Sequence, residues 1–457
     1  MNSKATLTQG PVRKQLIKMT MSMLMGMLGM SLFNLTDTFF IGKLGSNELA
    51  AMNFTISVVF MITSIALGLG IGASSVISRA IGEGNREKVI RLTSDALFLS
   101  LFIILFIAIF GYMNIDALFT TLGATSELIP LIKDYMQIWF LGVPFLIIPM
   151  VGNSIIRATG DVLSPSKIML YGFFINFVLD PIFIFGFGPI PPLGLKGAAI
   201  ATVIARAFTL VLSFNILYRR KKIITFKLPS ISKVISSWKE LLYIGLPAAA
   251  THTIMPLSIG IITKIISLYG IPAIAAYGVG LRIELLAMTL IWTLSSVLAP
   301  FIGQNWGAKL LDRIHLGIKF SNIFSIIWGV VVFFIFLIFS SSLISLFNPD
   351  ETVVNIGAIF LIIISTCYGF KGIVLLSSSV CSAIKRPFSA AILSLLQLII
   401  LRIPFVLIGS YLFGLKGIFV GIACSDFISA IISIVRVKTI MEISKPKESL
   451  MQTNNLI

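Results

Sequence analysis

Long apolar runs follow one another along almost the whole chain, separated by short clusters of charged residues, glycine and proline. They fall near residues 15–41, 50–78, 92–115, 131–156, 166–188, 197–217, 241–268, 272–301, 318–346, 353–380, 388–411 and 416–437. Each is long enough to cross a bilayer as a helix, which takes about 20 apolar residues. The pattern predicts an all-α integral membrane protein with twelve transmembrane helices.

The polar connections test this reading, because cytoplasmic loops of membrane proteins carry an excess of Lys and Arg. With the N-terminus inside, 26 of the 35 Lys and Arg fall on inner segments, from Lys4 to Lys447. The outer connections hold only Lys43, Lys133, Lys196 and Lys416. Such a split predicts a multi-pass protein of the plasma (cytoplasmic) membrane with both termini cytoplasmic, and an odd number of spans would scramble it. Composition agrees. Of the 457 residues, 57% are hydrophobic and only 12% charged, about half the charge of a soluble domain. A soluble enzyme, a disordered scaffold and a nucleic-acid module are thereby excluded, and the net charge of +17 reads as loops facing the cytoplasm.

The longest and most basic connection, 218–240, divides the chain into an N-terminal lobe (1–217, helices 1–6) and a C-terminal lobe (241–457, helices 7–12 with a short cytoplasmic tail). The halves repeat. Gly194-Leu195-Lys196-Gly197 recurs as Gly414-Leu415-Lys416-Gly417, Ile81-Gly82-Glu83 as Ile302-Gly303-Gln304, and Gly45 with Ala50-Ala51 as Gly270 with Ala275-Ala276. Six spans per half is an even number, so the repeats run parallel, related by a pseudo-two-fold axis normal to the membrane. Two six-helix lobes around a central cavity imply alternating access; duplication without transport is the alternative.

Few ionisable groups remain at membrane depth, where each costs at least about 2.5–3.5 kcal/mol. They are Asp37, Asp180, Arg206, Lys264, Arg282, Glu284, Lys371, Arg402 and Asp426, with Asp95 nearer an edge. Asn34 and Asp37 stand at i, i+3 on the first helix, and Asn176 and Asp180 at i, i+4 on the fifth, spacings that share a helix face. Pro181 breaks the backbone ladder behind them, and Thr202 lies one turn beyond the Gly197-Ala198-Ala199 run. If these helices meet, two carboxylates, an amide and a hydroxyl form an all-oxygen pocket for Na+ or an exchangeable proton; otherwise each Asp bonds a neighbouring helix. The second half does not copy the set. Arg402 and Asp426 are expected to pair, Arg282 and Glu284 each need another partner, and Lys264 and Lys371 have none that the sequence names. The alternating methionines of the first helix, Met19 to Met30, fit either a pliable binding surface or lipid-facing filler. Cys367, Cys381 and Cys424 form no CxxC pair, so neither a zinc site nor a disulfide framework is expected.

Asp37-Thr38-Phe39-Phe40-Ile41-Gly42-Lys43-Leu44-Gly45, Ile81-Gly82-Glu83-Gly84-Asn85, Arg157-Ala158-Thr159-Gly160-Asp161 and Asn176 through Pro181 together resemble the multidrug and toxic compound extrusion (MATE) transporters. The resemblance implies a monomeric, non-enzymatic antiporter in the bilayer, without cofactor or nucleic-acid partner. It would export bulky, often cationic or amphipathic drugs against Na+ or H+ and contribute to antibiotic resistance. It also implies a cation site at Asp37, Asn176, Asp180 and Thr202, and a drug cavity drawing on Met30, Phe33, Asn34, Asn153 and Lys371. Two departures stand out. The first helix has Gly26 and Gly29 where a bending proline occurs in some members. The acidic positions that form a C-lobe cation site in the NorM-type branch fall at Met255 and Lys371, so no such site is expected here. A lipid-linked saccharide flippase of the same superfamily is the rival reading, kept open by Lys264, Arg282 and Lys371.

Overall fold

The computed structural model describes residues 5–227 and 230–443; Lys4, Lys445 and Lys447, counted above among the inner charges, lie outside them. Helices α1 (Val12–Gly42), α2 (Ser46–Gly82), α3 (Arg86–Met113), α4 (Ile129–Ala158), α5 (Leu163–Phe185) and α6 (Leu195–Asn215) are followed by α7 (Ile231–Ile266), α8 (Ile271–Gly307) and α9 (Leu311–Ser345). Span α10 is a bent pair, Glu351–Ser365 and Tyr368–Ala383, with 55° between its parts. The last helical stretch, Pro387–Ile443, has 57 residues and would be about 86 Å long if unbroken, nearly three times the hydrocarbon thickness. It breaks at Phe413 (φ −132°, ψ 15°) and Gly414 (φ 60°, ψ −141°), giving α11 (387–412) and α12 (415–443). Twelve spans result among the described residues.

Most helices outrun the apolar windows that announce them. Hydropathy marks only the stretch inside hydrocarbon, whereas the helix continues until something caps it. Asn85, for example, accepts the Lys88 amide at 2.9 Å and caps α3, which starts six residues ahead of the apolar run.

The chain forms two compact units. Unit 1 comprises Met1–Thr253, Ser296–Gly317 and Ser382–Lys385, and unit 2 comprises Ile254–Ser295, Ile318–Cys381 and Arg386–Ile457. Unit 1 therefore extends past the basic connection to take in the start of α7 and the adjoining ends of α8 and α9. Its core has one apolar cluster around Phe119, Trp139 and Phe140 and another around Leu92, Ile155 and Ile156. The core of unit 2 centres on Phe360, Tyr368 and Phe419, with edge-to-face rings 5.1 Å apart at Phe360 and Phe419.

The internal repeat is visible in backbone geometry. Gly194 (φ 56°, ψ −130°) and Gly414 (φ 60°, ψ −141°) adopt nearly the same left-handed conformation, which side-chain-bearing residues rarely enter. Within unit 1, the repeat-related ends of α2 and α8 pack backbone to backbone. A Cβ on Gly82 would lie 2.1 Å from the Gln304 carbonyl, and one on Gly307 2.2 Å from that of Arg79.

Ahead of α1, a short 3₁₀ turn at Thr6–Thr8 straps onto these same ends. Leu7, 2% exposed, donates its amide to Gln304 Oε1 at 3.0 Å, while Gln304 Nε2 donates to the Ala158 carbonyl at 2.7 Å. Asn305 Nδ2 donates to the Leu7 carbonyl at 3.1 Å and Arg313 to that of Gly10 at 2.7 Å. Thr6 Oγ1 reaches the Thr159 carbonyl at 3.3 Å. Behind it, Asp161 accepts the Ser164 amide at the start of α5 (3.0 Å) and pairs with Lys221 (3.1 Å). Burial alone would raise the Asp161 carboxyl; the Ser164 amide and Lys221 outweigh it and hold it below the usual carboxylate range.

Candidate cation-coupling site

Helix α1 buries one continuous stripe at steps of three and four, ending in Phe33, Asp37 and Ile41. Asn34 is exposed while Asp37 is 6% exposed, so the expected Asn34–Asp37 pairing on one buried face does not occur. The reason is angular: Asn34 and Phe33 flank Asp37 by about 60° and 40° around the helix, and the packing against α5 selects the Phe33 side. Met19 and Met23 share the buried stripe, Met30 is half-buried, and Met21 and Met25 lie outside it. Helix α1 runs unbroken through Gly26 and Gly29. Both are close-packing positions, and a Cβ on Gly26 would stand 2.6 Å from Ser166 Cα on α5.

Helix α5 continues through Pro181 to Phe185, although Pro181 donates no amide to the Phe177 carbonyl. Asn176 and Asp180 are fully buried at 0% exposure, and Thr202, at 9%, faces inward from α6. Close approach of α6 to α5 is possible because Gly197 has no side chain; a Cβ there would meet the Phe183 carbonyl at 2.2 Å.

Asn176 Nδ2 donates to Asp180 Oδ1 at 2.8 Å. Beyond that bond, each of the four residues holds one buried oxygen with no partner: Asp37 Oδ1, Asn176 Oδ1, Asp180 Oδ2 and Thr202 Oγ1. Asn176 and Asp180 are joined by that bond, and Asp37 lies within electrostatic reach of Asp180; Thr202 stands on the neighbouring helix, one turn before Arg206. Buried polar atoms are nearly always satisfied, so the open acceptors of Asp37, Asn176 and Asp180 mark a place for a proton, a water or a cation. The donor set is all oxygen, which suits a hard cation rather than a thiophilic metal. Two further residues, which the spacing argument did not assign to the site, complete it. Arg206, one turn beyond Thr202 on α6, sets its guanidinium 4.3 Å over the Phe33 ring and within electrostatic reach of Asp37. The buried Tyr135 of α4 lies within reach of Asp37, Asp180 and Arg206 together. For Arg206 a signal existed in the i, i+4 spacing with Thr202; for Tyr135 there was none, because a tyrosine in an apolar helix looks like packing.

The other sequence candidates lie elsewhere. Asn153 is buried with Oδ1 unpartnered, but it is eighteen residues along α4 from Tyr135, about 27 Å. Lys371 belongs to unit 2 and, contrary to the expectation that it lacks a nameable partner, forms an ion pair with Glu284. Arg402 and Asp426 pair at 2.5 Å as expected, and Gln397 adds a hydrogen bond to the same carboxylate oxygen at 2.8 Å. Arg282 is exposed, two residues from the buried Glu284.

A polytopic, internally repeated helical protein with unsatisfied carboxylates at membrane depth is built as a transporter. A sequence profile of the MatE family matches residues 22–182 and 247–408, and the chain belongs to this family, the MATE transporters. It is similar to the FAD transporter of Shewanella oneidensis, with 35% identity over 94% of this chain and 95% of that one. It is also similar to the multidrug export protein MepA of Staphylococcus haemolyticus, with 26% identity over 93% of each. Among solved structures, the Vibrio cholerae MATE transporter VcmN in the bent form superposes with a TM-score of 0.90 at 29% identity, covering 94% of this chain and 97% of that one. The fold is the twelve-helix, two-lobe MATE architecture.

Proposed function

We propose that the protein is a cation-coupled antiporter whose coupling site is the Asp37, Asn176, Asp180 and Thr202 cluster, working by alternating access. The observation that carries this reading is the set of four open oxygen acceptors at buried positions. With Asp37 and Asp180 ionised and Arg206 charged, the cluster carries one net negative charge. One proton or one Na+ neutralises it, and one charge crossing the membrane supplies about 2.3 kcal/mol per 100 mV. The cargo must compete with that cation for the transporter's two states, since a ligand indifferent to the states moves neither.

The multidrug export protein MepA relatives support drugs as cargo, which the family resemblance expects to be bulky and often cationic or amphipathic. A flavin dinucleotide is the second reading, supported by the relative from Shewanella oneidensis and by Arg282, exposed on a spanning helix and without an ion pair among the described residues. The test is flux in vesicles holding the purified protein, with sodium and proton gradients imposed separately and a cationic dye or FAD as cargo. Uphill movement of either cargo under one of the gradients is expected. Equal rates with and without both gradients would reject the coupling.

A further inference from the structure

Unit 1 contains a cavity of about 1690 Å³ that has no part in the coupling site, walled by α3, the end of α6 and the stretch leading into α7. Its polar end holds Arg91, Arg219, Lys227 and Lys233, none of them in an ion pair among the described residues. Arg91 Nε is buried without a hydrogen-bond partner. Lys88 also lines this end but is neutralised by Glu83 at 3.0 Å; the acids of the lining are Glu87 and Asp95. The other wall is aromatic and aliphatic. Phe214 stacks on Tyr218 at 5.8 Å and Tyr218 lies 5.6 Å from Phe226, and Phe98 continues the wall toward Leu101. From Asn85 to Leu101 the lining runs sixteen residues along α3, about 24 Å, close to the thickness of one leaflet with its headgroups. The polar end lies on the side to which the distribution of Lys and Arg assigns the cytoplasm.

We propose that this cavity binds an anionic phospholipid of the inner leaflet, its phosphodiester headgroup held by Arg91, Arg219, Lys227 and Lys233 and its upper acyl chain against Phe98, Phe214 and Tyr218. A free soluble phosphate would use the cations but leave the apolar wall without a partner. Basic pockets between spanning helices at the cytoplasmic face select acidic headgroups, and interfacial aromatics fit the boundary between headgroup and chain.

The full-length protein, purified in detergent, is incubated with phosphatidylglycerol, cardiolipin, phosphatidylcholine or inorganic phosphate, and the lipid retained is measured by native mass spectrometry together with the unfolding temperature. Phosphatidylglycerol or cardiolipin should be retained and raise the unfolding temperature; phosphatidylcholine and inorganic phosphate should not. Each cation removed should weaken retention about fivefold, so the Lys227→Gln/Lys233→Gln double variant, on exposed positions where folding is undisturbed, should lose about 25-fold. Lys309→Gln, outside the cavity, should lose nothing. Equal retention of phosphatidylcholine, displacement of lipid by inorganic phosphate, or unchanged retention in the double variant would each overturn the assignment.

Discussion

Asn176 gives its amide proton to one oxygen of Asp180, at 2.8 Å, and leaves the second oxygen of that buried carboxylate open. The bond fixes the carboxylate's orientation from one side only. Asp180→Asn keeps the shape and removes the charge, and so does Asp37→Asn. Either variant should insert and fold at wild-type levels while gradient-driven flux falls by at least tenfold. Wild-type uphill transport in both variants would show that the carboxylates only pack helices.

Arg206 sets the charge of the site. Arg206→Gln leaves two carboxylates facing each other with no guanidinium, so neutrality needs two monovalent charges instead of one. Reversal-potential measurements in vesicles should show coupling rising by about one charge per cycle. An unchanged reversal potential would place Arg206 outside the coupled charge balance.

In unit 2, Lys371 and Glu284 neutralise each other. Lys371→Met strands the Glu284 carboxylate, and breaking a buried pair from one side costs about 3–5 kcal/mol. Thermal unfolding should therefore show a marked loss for Lys371→Met and substantial recovery in Lys371→Met/Glu284→Gln, where no charge is left unpaired. Additive losses would contradict the pairing.

Asp161 caps α5 and holds Lys221. Its carboxyl is depressed in the folded protein, so its contribution is fully present above the ordinary carboxylate value near 3.9 and is lost as pH falls through the folded value. Asp161→Ala should cost about 0.5–2 kcal/mol at neutral pH, the usual loss of a cap. The gap in unfolding temperature between variant and wild type should close below about pH 4.

The twelve spans and the internal repeat were legible because hydrocarbon imposes a minimum apolar length, and duplicated loops keep their glycines. Asp37, Asn176, Asp180 and Thr202 stood out because polar groups are costly where the surrounding sequence is apolar. Pairing across distant helices was harder. Nothing in the sequence joins Glu284 to Lys371, 87 residues apart, since helix periodicity gives the face a residue occupies and not the helix opposite. The Thr6–Thr8 strap escaped for another reason. It is short and polar, and its anchoring uses backbone amides and carbonyls that every sequence possesses.

That strap also sets an order of events during synthesis. The buried amide of Leu7 has to wait for Gln304, which is made 297 residues later. At about 5–20 residues per second, the gap is roughly 15–60 seconds. Through that interval the first span is already available to the membrane while its leading edge has no partner. The seam where α4, α8 and the N-terminal turn meet is therefore among the last parts of unit 1 to close, and a chain stalled before Gln304 would leave it open.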